Sequence, residues 1–215
     1  MTGDLRKCPV KKLEGHQSRV TSCSWSNEQG LLVTGAQDGT VRIWDVSQTA
    51  AEFHSAHSRN LHCVSPVGWS ARGTFLAAFQ NRLVNIWAVN GPQANVAMQP
   101  SWVTALSWVQ TFTPYSIPCV ASQPNASESL LVGRLDGTLC WLEVTEDLQV
   151  KSTELICCQR KEAPQCIAWH SSDKPFAVGY SDGKILLGTV EPNDTKQPLI
   201  LSAFPVRKML LLLYF

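Results

Sequence analysis

An all-β fold made of four repeated units is what this 215-residue sequence predicts. Three observations carry that expectation. A tryptophan closes an apolar, strand-like run four times, as Trp25 in VTSCSW, Trp69 in VSPVGW, Trp108 in VTALSW and Trp169 in PQCIAW. A turn residue follows each of them, namely Asp38, Asn81, Asp136 and Asp182, and all three aspartates precede glycine. The turn residues lie 43, 55 and 46 positions apart, and the tryptophan-to-turn distances are 13, 12, 28 and 13. Four short strands repeated at a period of ~40–45 residues are the pattern of β-propeller blades.

Each unit reads as strand, loop, strand, tight turn, strand. The middle strands are LLVTGA, FLAAFQ, LLVGRL and FAVGYS, and the third strands are TVRIWDV, LVNIWAV, TLCWLEV and KILLGTV. Weaker fourth strands follow, such as AAEFHS, LQVKSTEL and LILSAF. The runs are near-continuously apolar, so both faces of each sheet should be covered. The third unit is longer by about 15 residues, and the excess falls in QTFTPYSIPCVASQPNASES, a Ser/Pro-rich stretch expected to be a loop.

Composition narrows the function classes. Hydrophobic residues make up 44% and charged residues 16%, with a net charge of +1, which describes a globular chain. So small a charge argues against binding nucleic acid by phosphate neutralisation. No secretory leader is recognisable, and the longest apolar run, MLLLLYF, is far shorter than the ~20 residues of a membrane span. A cytoplasmic chain is expected, any membrane association coming through a parent protein. Eight cysteines occur without C-x-x-C or zinc-type spacing. Cys23, Cys140 and Cys166 lie within apolar runs and are expected to be reduced, buried thiols.

Gly15-His16, Trp25, Asp38-Gly39 and Trp44-Asp45 together resemble a WD40 repeat. In that family a His, a Ser/Thr, the turn Asp and the third-strand Trp form a hydrogen-bonded chain within a blade. The resemblance assigns this structural tetrad to His16, Thr34, Asp38 and Trp44. The second copy keeps Trp87 but has Ala77 and Asn81. The third keeps Asp136, with Gln99, Val132 and Leu142 at the other positions. The fourth keeps Asp182, with Arg160, Val178 and Gly188.

The segments CSWSNEQGLLVTG, VNIWAVNG, LLVGRLDGTL and CIAWHSSDKPFAVGYSDGKILLGT resemble, more narrowly, the propeller region of the giant HERC-family HECT-type ubiquitin ligases. That likeness implies a fragment or truncated product of such a protein, with ubiquitination machinery supplied in cis by the parent. The expected organisation is a lead or outer strand over 1–12, four WD40-like repeats over 13–192, and a tail over 193–215. The tail would hold a last outer strand and a divergent end. Only 33 residues follow Asp182, so about four blades and an open, incomplete propeller are expected.

No catalytic motif stands out. Cys166 and His170 flank a strand tryptophan and are read as structural. His57 and His62, with Cys63, are read as residues of the loop between the first two copies, not metal ligands. No metal, cofactor or catalytic residue is assigned. The expected function is a non-catalytic scaffold that binds proteins or peptides, with no nucleic acid and no membrane span. It would serve partner or substrate recruitment in the ligase. Alternatives are a role counted as ubiquitin transfer through the parent, or an independent adaptor in trafficking or signalling.

Loops gathered on a rigid scaffold carry binding. By family pattern the rim contacts come from the residue before each turn and from the start of each first strand. These are Gln37, Gln80, Leu135 and Ser181, with Arg19, Thr21, Trp102, Thr104 and Gln165. Trp102 is either an exposed anchor or part of a blade interface.

Overall fold

The computed structural model describes residues 12–26, 29–46, 52–58, 65–109, 127–155, 160–169, 175–189 and 199–205. These residues form four antiparallel sheets, each of four strands taken in chain order. Blade one holds β1 (Val20–Trp25), β2 (Leu31–Ala36), β3 (Thr40–Asp45) and β4 (Glu52–Ser58). Blade two holds β5 (Ser65–Trp69), β6 (Phe75–Gln80), β7 (Leu83–Ala88) and β8 (Ala94–Met98). Blade three holds β9 (Val103–Trp108), β10 (Glu128–Arg134), β11 (Leu139–Val144) and β12 (Val150–Glu154). Blade four holds β13 (Pro164–Trp169), β14 (Pro175–Tyr180), β15 (Lys184–Thr189) and β16 (Leu199–Pro205). The backbone pairing alone is described for β4 and β16.

The turns explain the repeat spacing. Three residues separate β2 from β3 and β14 from β15, and each turn carries a left-handed glycine, Gly39 at φ 77° and Gly183 at φ 78°. In blade two only Asn81 and Arg82 intervene, so the turn is one residue shorter and the tryptophan-to-turn distance falls with it. Asn81 takes the left-handed conformation itself, at φ 55°, which asparagine tolerates better than most side chains. The Asn at this position therefore makes a different hairpin, not a damaged copy of the aspartate turn.

The innermost strands pack in succession, β1 on β5, β5 on β9 and β9 on β13. Side chains alternate across each strand, so every blade offers one face backward and one forward. Forward-facing Val33, Val41 and Ile43 of blade one meet Val67, Trp69, Leu76 and Trp87 of blade two. Ala77, Val84 and Ile86 of blade two meet Trp108, Leu130, Val132 and Leu142 of blade three. Leu131, Leu139 and Trp141 of blade three meet Phe176, Val178 and Leu186 of blade four. The core is thus three apolar layers between four sheets, which is why the strands read as continuously apolar.

Two of these junctions share one polar bond. Trp69 Nε1–H donates to the Ser24 carbonyl at 3.0 Å, and Trp108 Nε1–H to the Gly68 carbonyl at 3.0 Å. In each case the tryptophan closing an innermost strand bonds the residue before the tryptophan of the preceding blade. At the third junction Trp169 packs edge-on to Trp141, and its indole N–H has no acceptor among the described residues.

Several expectations are corrected. Among the described residues, only the forward face of blade one is covered. Trp25 is 56% exposed, whereas Trp69 and Trp108 are 5% and 2% exposed. Cys23 is exposed and Cys166 is half-buried; of the three strand thiols described, Cys140 alone is buried. Alternation aims Cys23 and Trp25 backward, and no described residue fills that side. His57 lies in β4 and not in a loop, while His62, Cys63 and His170 lie outside the described residues. The expected loop reaches less far than its composition suggests, because Glu128 and Ser129 already belong to β10. Among the described residues, no packing as extensive as that between successive blades joins β13 back to β1.

Candidate functional site

In blade one a single chain of hydrogen bonds crosses the sheet. Trp44 Nε1–H donates to Thr34 Oγ1 at 2.8 Å, and Thr34 Oγ1 lies 2.7 Å from His16 Nε2. His16 Nδ1 lies 3.0 Å from Thr40 Oγ1 and 3.3 Å from Asp38 Oδ2. Asp38 also accepts from the Gln17 N–H, the Thr40 N–H and the Thr40 hydroxyl, at 2.9, 2.9 and 2.6 Å. Thr40 gives its hydroxyl proton to Asp38, so Nδ1 of His16 faces two acceptors and carries the imidazole proton. A neutral ring then accepts at Nε2 from the Thr34 hydroxyl, whose oxygen accepts from the indole.

The electrostatics agree with a neutral imidazole. Burial lowers the His16 pKa, and the Arg42 charge lowers it further, against the raising effect of Asp38. Burial pushes Asp38 up, but bonds from Thr40, Gln17 and His16 outweigh it and hold the carboxyl at about 2. A proton added at Nε2 would leave the Thr34 oxygen facing two donors and its own hydrogen without an acceptor. His16, Thr34, Asp38 and Trp44 therefore tie the turn to the sheet and are not arranged to move protons to a substrate.

Blades three and four build different ties at the same place. In blade three Arg134 is buried at the end of β10. Its Nε–H donates to Gln99 Oε1 at 3.2 Å, and its Nη1 pairs with Glu154 at 2.8 Å. Nη1 also lies 3.4 Å from Thr138 Oγ1, whose hydroxyl donates to Asp136 at 2.6 Å. In blade four Arg160 at the histidine position pairs directly with Asp182 at 2.9 Å and stacks over Tyr180 at 4.6 Å. Burial opposes a low Asp182 pKa, but bonds from Lys184 and the charges of Arg160 and Lys184 lower it.

Two groups were not singled out by sequence reasoning. Arg134 sits inside LLVGRL, where the pattern suggests only a strand end. Its signal was a cation two residues before the turn acid with Glu154 at the end of the outer strand. Glu128, at the start of β10, is buried and accepts from Ser70 Oγ at 2.9 Å, from the Arg72 N–H at 3.1 Å and from the Thr74 hydroxyl. It fastens blade three to the β5–β6 loop of blade two. Nothing local in the sequence signals that contact.

The rim candidates fall into blade-specific pairs. Gln37 N–H donates to the Arg19 carbonyl at 2.9 Å, Leu135 N–H to the Trp102 carbonyl at 2.7 Å, and Ser181 N–H to the Ala163 carbonyl at 2.9 Å. The same turn-to-strand bond thus recurs in three blades and sets Gln37, Leu135 and Ser181 beside the starts of their innermost strands. Thr21 and Thr104 use their hydroxyls on the Gly35 and Gly133 carbonyls, at 3.1 and 3.4 Å. Arg19, Thr21, Gln37, Gln165 and Ser181 are exposed, while Gln80 and Thr104 are half-buried. Trp102 and Leu135 stand out, being 56% and 53% exposed on backbone that is hydrogen-bonded in place. Trp102 is therefore an exposed side chain and not part of a blade interface.

Residues 7–45 match the family described as WD domain, G-beta repeat. The chain is similar to the WD40 repeat-containing protein HOS15 of Arabidopsis thaliana, 31% identical over 108 residues that cover 42% of this chain and 17% of that protein. It is also similar to Gem-associated protein 5 of Homo sapiens, 27% identical over 146 residues that cover 66% of this chain and 9% of that protein. Its matched part therefore spans less than a fifth of the length of either relative. Among solved structures it is similar to the Cps50 (Swd1) β-propeller domain of Myceliophteria thermophila, with a TM-score of 0.67 and 17% identity. That likeness covers 91% of this chain and 61% of that one. The fold is an all-β propeller with four blades among the described residues, and its first repeat is the part that matches the WD family.

Proposed function

We propose that this chain is a non-catalytic scaffold that binds a protein or peptide on the rim where the β2–β3, β10–β11 and β14–β15 turns meet the starts of the innermost strands. One observation carries the reading. Trp102 and Leu135 are large apolar side chains held out to solvent by a fixed backbone, so a partner can bury them with little ordering of the scaffold. Polar neighbours surround them. Arg82 and Asp136 are exposed on adjacent turns, which suits a peptide with an apolar anchor and flanking charges.

The test is capture on the immobilised chain compared with a Trp102→Ala, Leu135→Ser double variant. Loss of specific partners with unchanged thermal stability supports the rim. An identical bound set from both chains rejects it.

The narrower reading places this scaffold in a HERC-type HECT ubiquitin ligase in the cytoplasm, recruiting substrates or partners for a catalytic domain elsewhere in the parent. The resemblance of four segments supports it, and that warrant is one of association. Co-precipitation of HECT-type transfer activity with the full-length parent supports the ligase context. A ubiquitin thioester formed on this chain alone overturns the non-catalytic part.

A further inference from the structure

The turn between β7 and β8 joins Asn90 to Gly91, and no other asparagine in the chain precedes a glycine. It lies at the end of blade two opposite the proposed binding rim. Its base is fastened by Ala88 N–H to the Gln93 carbonyl at 3.0 Å and by Val89 N–H to the Thr74 carbonyl at 2.9 Å. Neither the Asn90 amide nor the Gly91 N–H belongs to these ties. Asn90 is exposed, and its side chain makes no hydrogen bond to another described residue. A Cβ at Gly91 would meet nothing closer than the Gln93 nitrogen, at 4.0 Å, so space around this peptide bond is open.

The other described asparagines are guarded. Asn85 is buried within β7 and precedes the branched Ile86. Asn95 donates its amide to the Leu148 carbonyl at 2.6 Å and precedes the branched Val96. Asn81 is exposed, but it precedes Arg82, and its carbonyl is tied to the Val103 N–H at 2.7 Å.

We propose that Asn90 is a site of self-modification, deamidated in the folded chain by its neighbour's backbone. The Gly91 nitrogen gives its proton to solvent hydroxide and attacks Asn90 Cγ. The new C–N bond closes a cyclic imide. The bond from Cγ to Nδ2 breaks, and the nitrogen leaves as ammonia after taking a proton from water. A water molecule then adds to either imide carbonyl and opens the ring. The products are aspartate and a β-linked aspartate whose main chain runs through the former side chain. Both reacting groups sit on adjacent residues, so the step needs no other protein. Asn90 shares a cleft of about 430 Å³ between blades two and three with Arg72, Glu128 and Glu146. Deamidation turns a neutral part of that wall into an anionic one beside the exposed Arg72, so the cleft changes charge as the chain ages.

Peptide mapping by mass, on the 215-residue folded chain aged in mildly alkaline buffer, tests this. The expected result is conversion of amide to acid at Asn90 ahead of every other asparagine. Hydroxylamine, which opens the imide and cuts the chain there, should release fragments 1–90 and 91–215. Gly91→Val should slow both readouts roughly tenfold or more, because a branched side chain crowds the attacking nitrogen. Asn90→Gln should abolish the cut at this bond. Both substitutions fall in open space, so melting temperatures should match the parent and show that the fold is kept. A folded chain that converts Asn90 no faster than its other asparagines overturns the proposal. So does an equal rate in Gly91→Val, and so does conversion that occurs only after unfolding in urea.

Discussion

Blade one and blade three solve the same problem with different chemistry. In blade one a neutral chain of Trp44, Thr34 and His16 reaches the turn acid, and Asp38 is largely shielded. In blade three Val132 and Leu142 replace the hydroxyl and the indole, and the polar tie moves to Arg134, Gln99 and Glu154. Asp136 is left exposed, with Thr138 as its principal donor. The turn in blade one hangs on its acid. The turn in blade three hangs on a guanidinium, and its acid is secondary. A residue at the same place in two repeats can therefore differ widely in importance.

The largest contrast lies in the inner tryptophans. Trp108→Ala should destabilise the chain by ~3–5 kcal/mol through a buried cavity and a lost junction bond. Trp25→Ala should change stability by less than ~0.5 kcal/mol. Urea unfolding of both variants measures this, and equal losses would remove the distinction between a filled and an open face.

The turn acids come next. Asp38→Ala leaves several donors unpaired and should cost ~1–3 kcal/mol. Asp136→Ala should stay within ~0.5 kcal/mol, because its side chain is in water. Equal melting temperatures for the Asp38 variant and its parent would sink the account of blade one.

Acid should also separate the blades. His16 is held below its ordinary pKa, so the unfolded chain takes up a proton that the folded chain resists. Stability is complete above about pH 6.5 and falls as pH drops below it. Asp38, held at about 2, adds a second loss as pH falls from about 4 toward 2, where the folded carboxyl itself becomes protonated. Thermal melts of His16→Gln should lack the upper limb, and an unchanged limb would mean that another group controls it. At blade four, Arg160→Ala removes an ion pair near the surface and should lower the melting temperature less than Asp38→Ala does.

The strands were legible because each is bracketed by local signals, a tryptophan at one end and a turn residue at the other. The first, middle and third strands lie where the repeat places them, to within a residue or two at their ends. What the sequence could not convey depended on neighbours. Trp25 and Trp108 close near-identical hexapeptides, VTSCSW and VTALSW, yet one faces solvent and the other a blade. The exposure of Cys23 has the same origin. Arg134 was hidden because a buried cation in an apolar run becomes interpretable only when Gln99 and Glu154, 35 positions before it and 20 after, come within reach. On the rim, family pattern could name positions, but the prominence of Trp102 and Leu135 is a matter of how the backbone is tied.

The clamp at Glu128 bears on how this chain can change in length. The long stretch between Val109 and Ser127 enters the sheet where Val109 N–H donates to the Ser129 carbonyl at 2.9 Å, and Glu128 is locked to the neighbouring blade. Its two ends are therefore set by the propeller, whatever lies between them. Doubling such a segment adds only ~0.6 kcal/mol of closure entropy. This is the place where residues can be gained, lost or replaced by an inserted tag while the register of all four sheets is kept.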